Sequence, residues 1–376
     1  MAPGKDEGLS SAPEISEREA LKAGFLKAAG FGDLRRQPLG GDASTRSYER
    51  LHQADGTSFI FMDQPPSMES VVCPPKATPE QRIALGYNAA ARLAAGSVAA
   101  FVTTAAYLRE QGLSAPRIFA HDVGAGLAVL EDLGDGLFAT LIAEGQDEGP
   151  LYEAAVDVQV AMQARTPPDV LKADGCEWPL MTYDTLALKI ATDTFLEFWP
   201  KFAGLPDFGA EAAAEWEALW APVWVWGEAG ASVFTHRDYH AQNLLWLPER
   251  TGVARVGLLD FQDALRAHPA WDLLHLLQDA RRDVSPELEA AMLDRYLSAK
   301  PGMDRDRFTS EYRALAASNA ARILGRVFAR QALLGRAQYK AYMPRTWRYL
   351  ERNLADPELA PLKAWFDRHV PPEARA

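Results

Sequence analysis

Two short stretches hold the residues best suited to chemistry. The first is Phe234-Thr235-His236-Arg237-Asp238-Tyr239-His240-Ala241-Gln242-Asn243-Leu244-Leu245, and the second is Val256-Gly257-Leu258-Leu259-Asp260-Phe261-Gln262-Asp263. Each sets its acid just beyond an apolar, strand-like run, where catalytic loops usually lie. Phosphoryl transfer asks for an acceptor hydroxyl aimed in line and for cations that neutralise the phosphates. The Asp238 carboxylate can take the proton of such a hydroxyl. Asn243 offers an amide oxygen and Asp260, seventeen residues further on, a second carboxylate. Both are hard ligands that suit Mg²⁺. A hairpin-like excursion of that length can return the chain to the same ion. The plain alternative is a solvated loop closed by Asp and Asn turns, but that does not explain why both acids follow apolar strands. The run His-Arg-Asp-x-x-x-x-Asn followed by Asp-Phe also matches a known template for these roles.

The neighbouring histidines invite a metal reading and do not support it. His236, His240, His268 and His275 lie within forty residues, yet none has the short His or Cys partner spacing of a zinc site. His236 is expected to pack inside and orient the loop. Asp272 opens the helix Trp271-Asp272-Leu273-Leu274-His275-Leu276-Leu277. It can cap that helix or accept hydrogen bonds from the catalytic-loop backbone, and the second reading is preferred.

These residues need a scaffold, and the chain suggests two parts. A helix is expected from Ser16, with Glu19 completing a capping box, to Gly30. Strands are expected on either side of the turn in residues 38–51, then over Ser58–Met62, Arg117–Ala120 and Leu127–Leu130, with a helix over 97–112 and a long loop over 64–80. Helical periodicity then dominates at 150–165, 183–202, 210–221, 271–282, 286–299, 306–335 and 345–354. Two strand-like pieces interrupt it, at Ser232–Thr235 and Arg255–Leu259. The fold class is therefore α+β and bilobal: disorder in residues 1–14, a small antiparallel β-lobe over 15–133, and a larger helical lobe over 134–376. Gly134-Asp135-Gly136 is the expected hinge. At the front of the β-lobe, Gly40 and Gly41 permit close backbone approach to phosphates, and Ser44, Thr45 and Arg46 can donate to their oxygens. A plain hairpin turn would look the same, but its position favours the ligand reading.

Composition narrows the function classes. The chain has 376 residues, 48% of them hydrophobic, and a formal net charge of −12. That suffices for two lobes with a sizeable core and disfavours general nucleic-acid binding. The two cysteines, Cys73 and Cys176, form no zinc spacing and no disulfide framework. No run reaches the roughly 18 apolar residues of a membrane span, and the first fifteen residues contain no apolar export signal. A cytoplasmic location is expected, with no nucleic-acid or membrane partner; oligomeric state stays open.

The residues quoted so far resemble the aminoglycoside phosphotransferase superfamily, which has the protein-kinase-like fold. Within it the chain looks closest to the bacterial anomeric kinases of N-acetylmuramate and N-acetylglucosamine. Gly41-Asp42-Ala43-Ser44-x-Arg46-x-Tyr48, Met62-Asp63-x-Pro65-Pro66, Leu130-Glu131-Asp132-Leu133-Gly134-Asp135 and Leu259-Asp260-Phe261-Gln262-Asp263-Ala264 carry the closer match. Phe328-Ala329-Arg330, with Tyr339-Lys340 and Pro344-Arg345, adds to it. The resemblance implies an ATP-dependent sugar kinase of cell-wall recycling that phosphorylates the C1 hydroxyl. It implies Asp238 as base, Asn243 and Asp260 on Mg²⁺, and backbone around Glu131 to Leu133 against the adenine.

One departure stands out. The template's lysine on the third strand is missing from Ser58–Asp63, and the helix over 97–112 has no central glutamate, only Glu110 near its end. The two absences agree, because a glutamate that holds a lysine is not needed without it. Another cation must face the phosphates, with Arg46 the first choice and Lys76 the second. A lactyl ether would bring a carboxylate that an arginine fork can read. Asn319, Arg322, Arg326 and Arg330 recur at helical spacing on one face. A solvated charged face or pairing with the chain's acids would give the same pattern. Arg330, Lys340 and Arg322 are the candidates for substrate contact, with Tyr339 and Tyr342 at the rim; Trp199 is expected in the core. Two rival functions remain: a phosphotransferase acting on an aminoglycoside or another small hydroxyl compound, and a non-catalytic nucleotide-binding module.

Overall fold

The computed structural model describes residues 12–40, 46–65, 71–94 and 96–375. Gly41, Ser44 and Thr45, and the stretch up to residue 11 expected to lack order, lie outside the described residues. Helix α1 (Ala12–Ala28) starts four residues before the expected Ser16 and includes residues 12–14, which were expected to lack order. Pro13 explains the earlier start, because a first helical turn has no use for the N–H that proline lacks.

The following strands are β1 (Arg35–Pro38), β2 (Ser47–His52) and β3 (Ser58–Asp63); after the short helices α2 (Pro79–Ala84) and α3 (Tyr87–Ala90) and helix α4 (Val98–Glu110) come β4 (Ile118–Asp122) and β5 (Leu127–Glu131). The strands form one antiparallel sheet in the order β1-β2-β3-β5-β4. Alternation along the strands sends side chains to opposite faces. Leu51, Phe61, Leu127 and Val129 bury against Leu26 of α1 on one face. Ile60, Met62, Ala128 and Leu130 join α4 and the main core on the other. Lys22 fastens α1 through Glu49 at 3.0 Å and Asp63 at 3.6 Å. Helices α2 and α3 were not foreseen: six and four residues are too few to show a period. Only the Thr78–Gln81 capping box marked the first of them.

The helical part contains α5 (Phe138–Ala143), α6 (Glu148–Met162), a hairpin of β6 (Val170–Ala173) and β7 (Cys176–Pro179), α7 (Thr185–Ala203) and α8 (Gly209–Ala229). The hairpin turn is Asp174-Gly175, both at positive φ, an Asp-Gly signal that the sequence carried openly. Next come β8 (Val233–Thr235), β9 (Leu244–Trp246), β10 (Val256–Leu258) and β11 (Leu265–Ala267), paired β8 with β11 and β9 with β10. The chain ends with α9 (Trp271–Leu277), α10 (Pro286–Ser298), α11 (Arg305–Arg322), a π-helical turn over Ile323–Ala329, α12 (Arg330–Leu333), α13 (Met343–Asn353) and α14 (Ala360–His369). The fold is α+β and bilobal, as expected. Trp199 is fully buried and stacks on Phe195 at 5.6 Å, so it belongs to the core. Both cysteines are free and buried. Among the described residues no helix is long and apolar enough to cross a membrane.

The expected single helix over 306–335 is broken by the π-helical turn, a widening often found at functional sites. Gly325 lies inside it against α7. A Cβ there would meet the backbone of Thr194 at 2.5 Å and Phe195 N at 2.6 Å. Backbone cannot rotate away as a side chain can, so Gly325→Ala should cost about 1–3 kcal/mol of stability through overpacking. Urea unfolding would read this as a lower midpoint at unchanged slope.

Candidate active site

Strand β8 delivers the catalytic loop, and a buried carboxylate fixes its start. Asp272 at the head of α9 accepts the His236 N–H at 2.8 Å on one oxygen and the Arg237 N–H at 2.9 Å on the other. Burial pushes the Asp272 carboxyl up to about 7, against these two donors, which favour the ionised form. Arg237 sits at φ 78°, a left-handed conformation costly for a long side chain. Its guanidinium is committed elsewhere, donating to Arg92 O at 2.9 Å and Ala91 O at 2.7 Å and covering the Tyr183 ring at 4.8 Å. The arginine of the His-Arg-Asp run thus ties the segment before α4 to the helical lobe. His236 is fully buried, and its Nδ1 accepts the Asp238 N–H at 3.3 Å. Burial drops its pKa to about 4, so it is neutral near pH 7.

Asp238 reaches the cavity with 41% of its side chain exposed. His240 Nε2 lies 3.2 Å from its Oδ1 and His275 Nδ1 3.9 Å away. Burial works to raise the Asp238 carboxyl, but His240, Arg281 and His275 overcome it and hold it well below the usual carboxylate range. Asn243 Nδ2 donates to Asp238 O at 2.9 Å and to Oδ2 at 3.2 Å. That fixes the amide flip and turns Asn243 Oδ1 away from Asp238.

The β9–β10 hairpin brings Asp260 back. Leu244 pairs with Leu258, and Leu259 N–H donates to Asn243 O at 2.9 Å, so Asn243 and Asp260 leave the same end of one hairpin. Asp260 is at φ 60°. Its Oδ1 accepts Arg46 Nη1 at 3.0 Å and Gln262 Nε2 at 3.0 Å, while Gln262 Oε1 accepts Arg46 Nη1 at 2.9 Å. The next residue, Phe261, stacks on Phe101 of α4 at 4.7 Å. Asp263 Oδ1 accepts the Ala94 N–H at 2.5 Å. Among the described residues no three His, Cys, Asp or Glu side chains form a metal cage. One or two carboxylates and an amide oxygen beside a phosphate-binding cleft are what Mg²⁺ takes, with phosphate and water completing its shell.

Elsewhere the expected contacts divide. Gly40 is exposed at the end of β1, and Arg46 precedes β2. Lys76 is exposed on the loop before α2. The Glu131 side chain is taken by Arg250 at 2.6 Å and Arg109 at 3.3 Å, and its N–H donates to Arg117 O at 2.8 Å. Leu133 packs beside β10, where its Cδ1 would lie 3.2 Å from a Cβ on Gly257. Asp132 and Asp135 pair with Arg50 of β2 at 2.6 and 2.7 Å, so the segment joining the lobes is braced by ion pairs.

Next to Asp238 is a cavity of about 280 Å³. Arg322 lines it; Arg330 and Lys340 do not. Eight residues of helix separate Arg322 from Arg330, roughly 12 Å along the axis, so a shared face does not mean a shared cavity. Lys340 is exposed, its Nζ 5.6 Å from the Phe202 ring, and Tyr339 and Tyr342 stack on Phe328 instead. Tyr87, His275, Arg281 and Arg326 also line the cavity. Arg326 belonged to the arginine stripe. Nothing local distinguished Tyr87 or Arg281, because their positions depend on packing between distant segments.

Comparison with known proteins identifies the family. The model of the phosphotransferase enzyme family matches residues 35–309. An N-acetylmuramate/N-acetylglucosamine kinase of Caulobacter vibrioides is 62% identical over 96% of this chain and 99% of its own. One from Pseudomonas aeruginosa is 28% identical over 86% of each chain. A GDP complex of an aminoglycoside 2'-phosphotransferase superposes with a TM-score of 0.53 at 11% identity, covering 92% of this chain and 99% of that one.

Proposed function

This chain belongs to the phosphotransferase enzyme family, and on that premise we propose that it is an ATP-dependent amino-sugar kinase acting on the anomeric hydroxyl of N-acetylmuramate and N-acetylglucosamine. The observation that carries the reading is the 62% identity to such a kinase, sustained over nearly the whole of both chains. The cavity beside Asp238 supports it, because arginines line it together with Asp238, Asp263 and Asp279.

The residues then take defined parts. Asp238 accepts a hydrogen bond from the C1 hydroxyl and aims its oxygen at the γ-phosphorus. As the new O–P bond forms and the bond to the leaving ADP oxygen breaks, the hydroxyl proton passes to Asp238. A carboxylate held so far below its usual range is a weak base, so its contribution is orientation first and late proton acceptance second. Asn243 and Asp260 would hold Mg²⁺, whose charge offsets that of the triphosphate. Arg46 is the cation that takes over the task of the absent strand lysine: it already sits on Asp260 and Gln262, at the edge of the phosphate site. Gly40, Gly41, Ser44 and Thr45 cradle the phosphates, and backbone at Glu131 to Leu133 meets the adenine. A cytoplasmic place in cell-wall recycling follows the same reading.

A substrate panel tests it. With Mg·ATP, the purified protein should phosphorylate N-acetylmuramate and N-acetylglucosamine, with the phosphate on C1 by phosphorus NMR. Exclusive turnover of kanamycin would sink the assignment in favour of an antibiotic phosphotransferase. ATP binding with no transfer to any acceptor would make the protein a binding module.

A further inference from the structure

The chain carries an excess of twelve acids, and its buried arginines are generally matched to them. Arg82, for example, meets Asp184 at 2.5 Å, and Arg50 meets Asp132 at 2.6 Å. Four guanidiniums line the cavity and, among the described residues, none makes an ion pair; Arg237 is spent on the carbonyls of Ala91 and Arg92 and Arg281 faces His240, which leaves Arg322 and Arg326. Arg322 donates through Nε to Asn319 Oδ1 at 2.9 Å, and Arg326 lies over the Tyr87 ring, its Cζ 3.9 Å from the centroid. Among the described residues neither has a carboxylate within ion-pair distance, although both line the cavity that Asp238 enters. Burial works against the Arg326 charge and, with Arg330 nearby, holds its pKa below the usual value. Tyr87 and Glu197 offset only part of that cost, and a half-buried cation outside any ion pair gains when an anion arrives.

Both arginines come from one helix, and the π-helical turn starts directly after Arg322 and contains Arg326. Tyr87, from the short α3 of the β-lobe, holds the second guanidinium in place through its ring and a side-chain hydrogen bond, and a planar guanidinium has five N–H donors, enough to add a fork to a carboxylate. Arg281 has another place: its Nη1 lies 3.1 Å from His240 Nε2, on the Asp238 side. His275 stands between the two regions, 3.9 Å from Asp238 and close enough to Arg322 for that charge, after burial, to help keep its ring neutral. The cavity therefore has a hydroxyl-reading end at Asp238 and a carboxylate-reading wall at Arg322 and Arg326.

We propose that Arg322 and Arg326 form an anion subsite that takes the lactyl carboxylate of N-acetylmuramate and so sets its preference over N-acetylglucosamine. This rests on the sugar-kinase reading above and adds the residues that discriminate between the two sugars. Arg330 contributes positive potential beside Arg326 without lining the cavity.

The test compares kcat/KM for N-acetylmuramate, its lactyl amide and N-acetylglucosamine in the native protein, Arg326→Met and Arg322→Met. Methionine keeps an apolar stem and removes the charge. Each variant should lose about 10- to 100-fold more on N-acetylmuramate than on the other two sugars, as expected for a charged hydrogen bond, and mainly in KM. Arg326→Lys should recover part of the loss, since charge returns without the fork. An equal loss on all three sugars, or no loss on N-acetylmuramate, in variants of native thermal midpoint would overturn the subsite. Should Arg326→Met not fold, Arg322→Met and Arg326→Lys carry the same comparison. If the native protein turns over neither sugar, it is the proposed function that fails.

Discussion

Asp238→Asn should lower kcat by at least about 100-fold, the lower range for a lost general base. Asparagine has the same shape, so the Asn243 and His240 neighbours stay in place and sugar binding should change little. What goes is the negative charge that aims the hydroxyl and finally takes its proton. His240, Arg281 and His275 are arranged around that charge and hold the carboxyl ionised far below neutral pH. Removing it leaves no acceptor at the place where the hydroxyl must lose a proton. Single-turnover rates with saturating Mg·ATP would separate this from slow product release. A variant within a few-fold of the native rate would remove Asp238 from the chemistry.

Asp260→Asn is the second change expected to be severe. The Asp260 carboxylate is proposed to hold Mg²⁺, and it also anchors Arg46 and Gln262 in a three-residue cluster. An amide in its place removes one of two protein ligands of the ion and lets the Arg46 guanidinium swing. Two cations that neutralise the triphosphate are therefore weakened by one substitution. The expected result is a loss of at least about 100-fold in kcat/KM for ATP, since electrostatic stabilisation of this kind is commonly worth that much per group. Raising Mg²⁺ should restore part of the rate, and the half-saturating Mg²⁺ concentration should rise. An unchanged Mg²⁺ titration would contradict the assignment. Because Asp260 is at φ 60°, a conformation that Asn tolerates well, the variant should fold.

Several elements were legible for a simple reason. Helices α4, α6, α7, α10 and α13 were foreseen within a few residues, because burying one face imposes a period visible in the chain. Ser97 caps α4 where the helix was expected to begin. The short α2 and α3, the β6–β7 hairpin and the pair α5 and α14 were not foreseen. Their segments are too brief to show a period, and the Asp174-Gly175 turn was overlooked although its chemistry was explicit. The missing strand lysine was plain from Ser58–Asp63, but the side chain that stands nearest the gap was only a choice between Arg46 and Lys76. The structure sets Arg46 on Asp260, 214 positions away, and leaves Lys76 exposed on a loop.

The sequence alone determined the spacing of Asp238, Asn243 and Asp260 and the division into a β-rich part and a helical part. Both are local matters: a two-stranded excursion must return near its start, and periodicity follows from which face is buried. Tertiary structure alone decided what surrounds that core. It gave Arg237 to the carbonyls of Ala91 and Arg92 and selected Arg322 and Arg326 rather than Arg330 for the cavity wall, while Asp272 meets the loop backbone as the sequence reading preferred. The physical reason is direction and depth. Spacing says which side chains share a face, but only the packing of α7, α9 and the π-helical turn says how far along that face the cavity reaches.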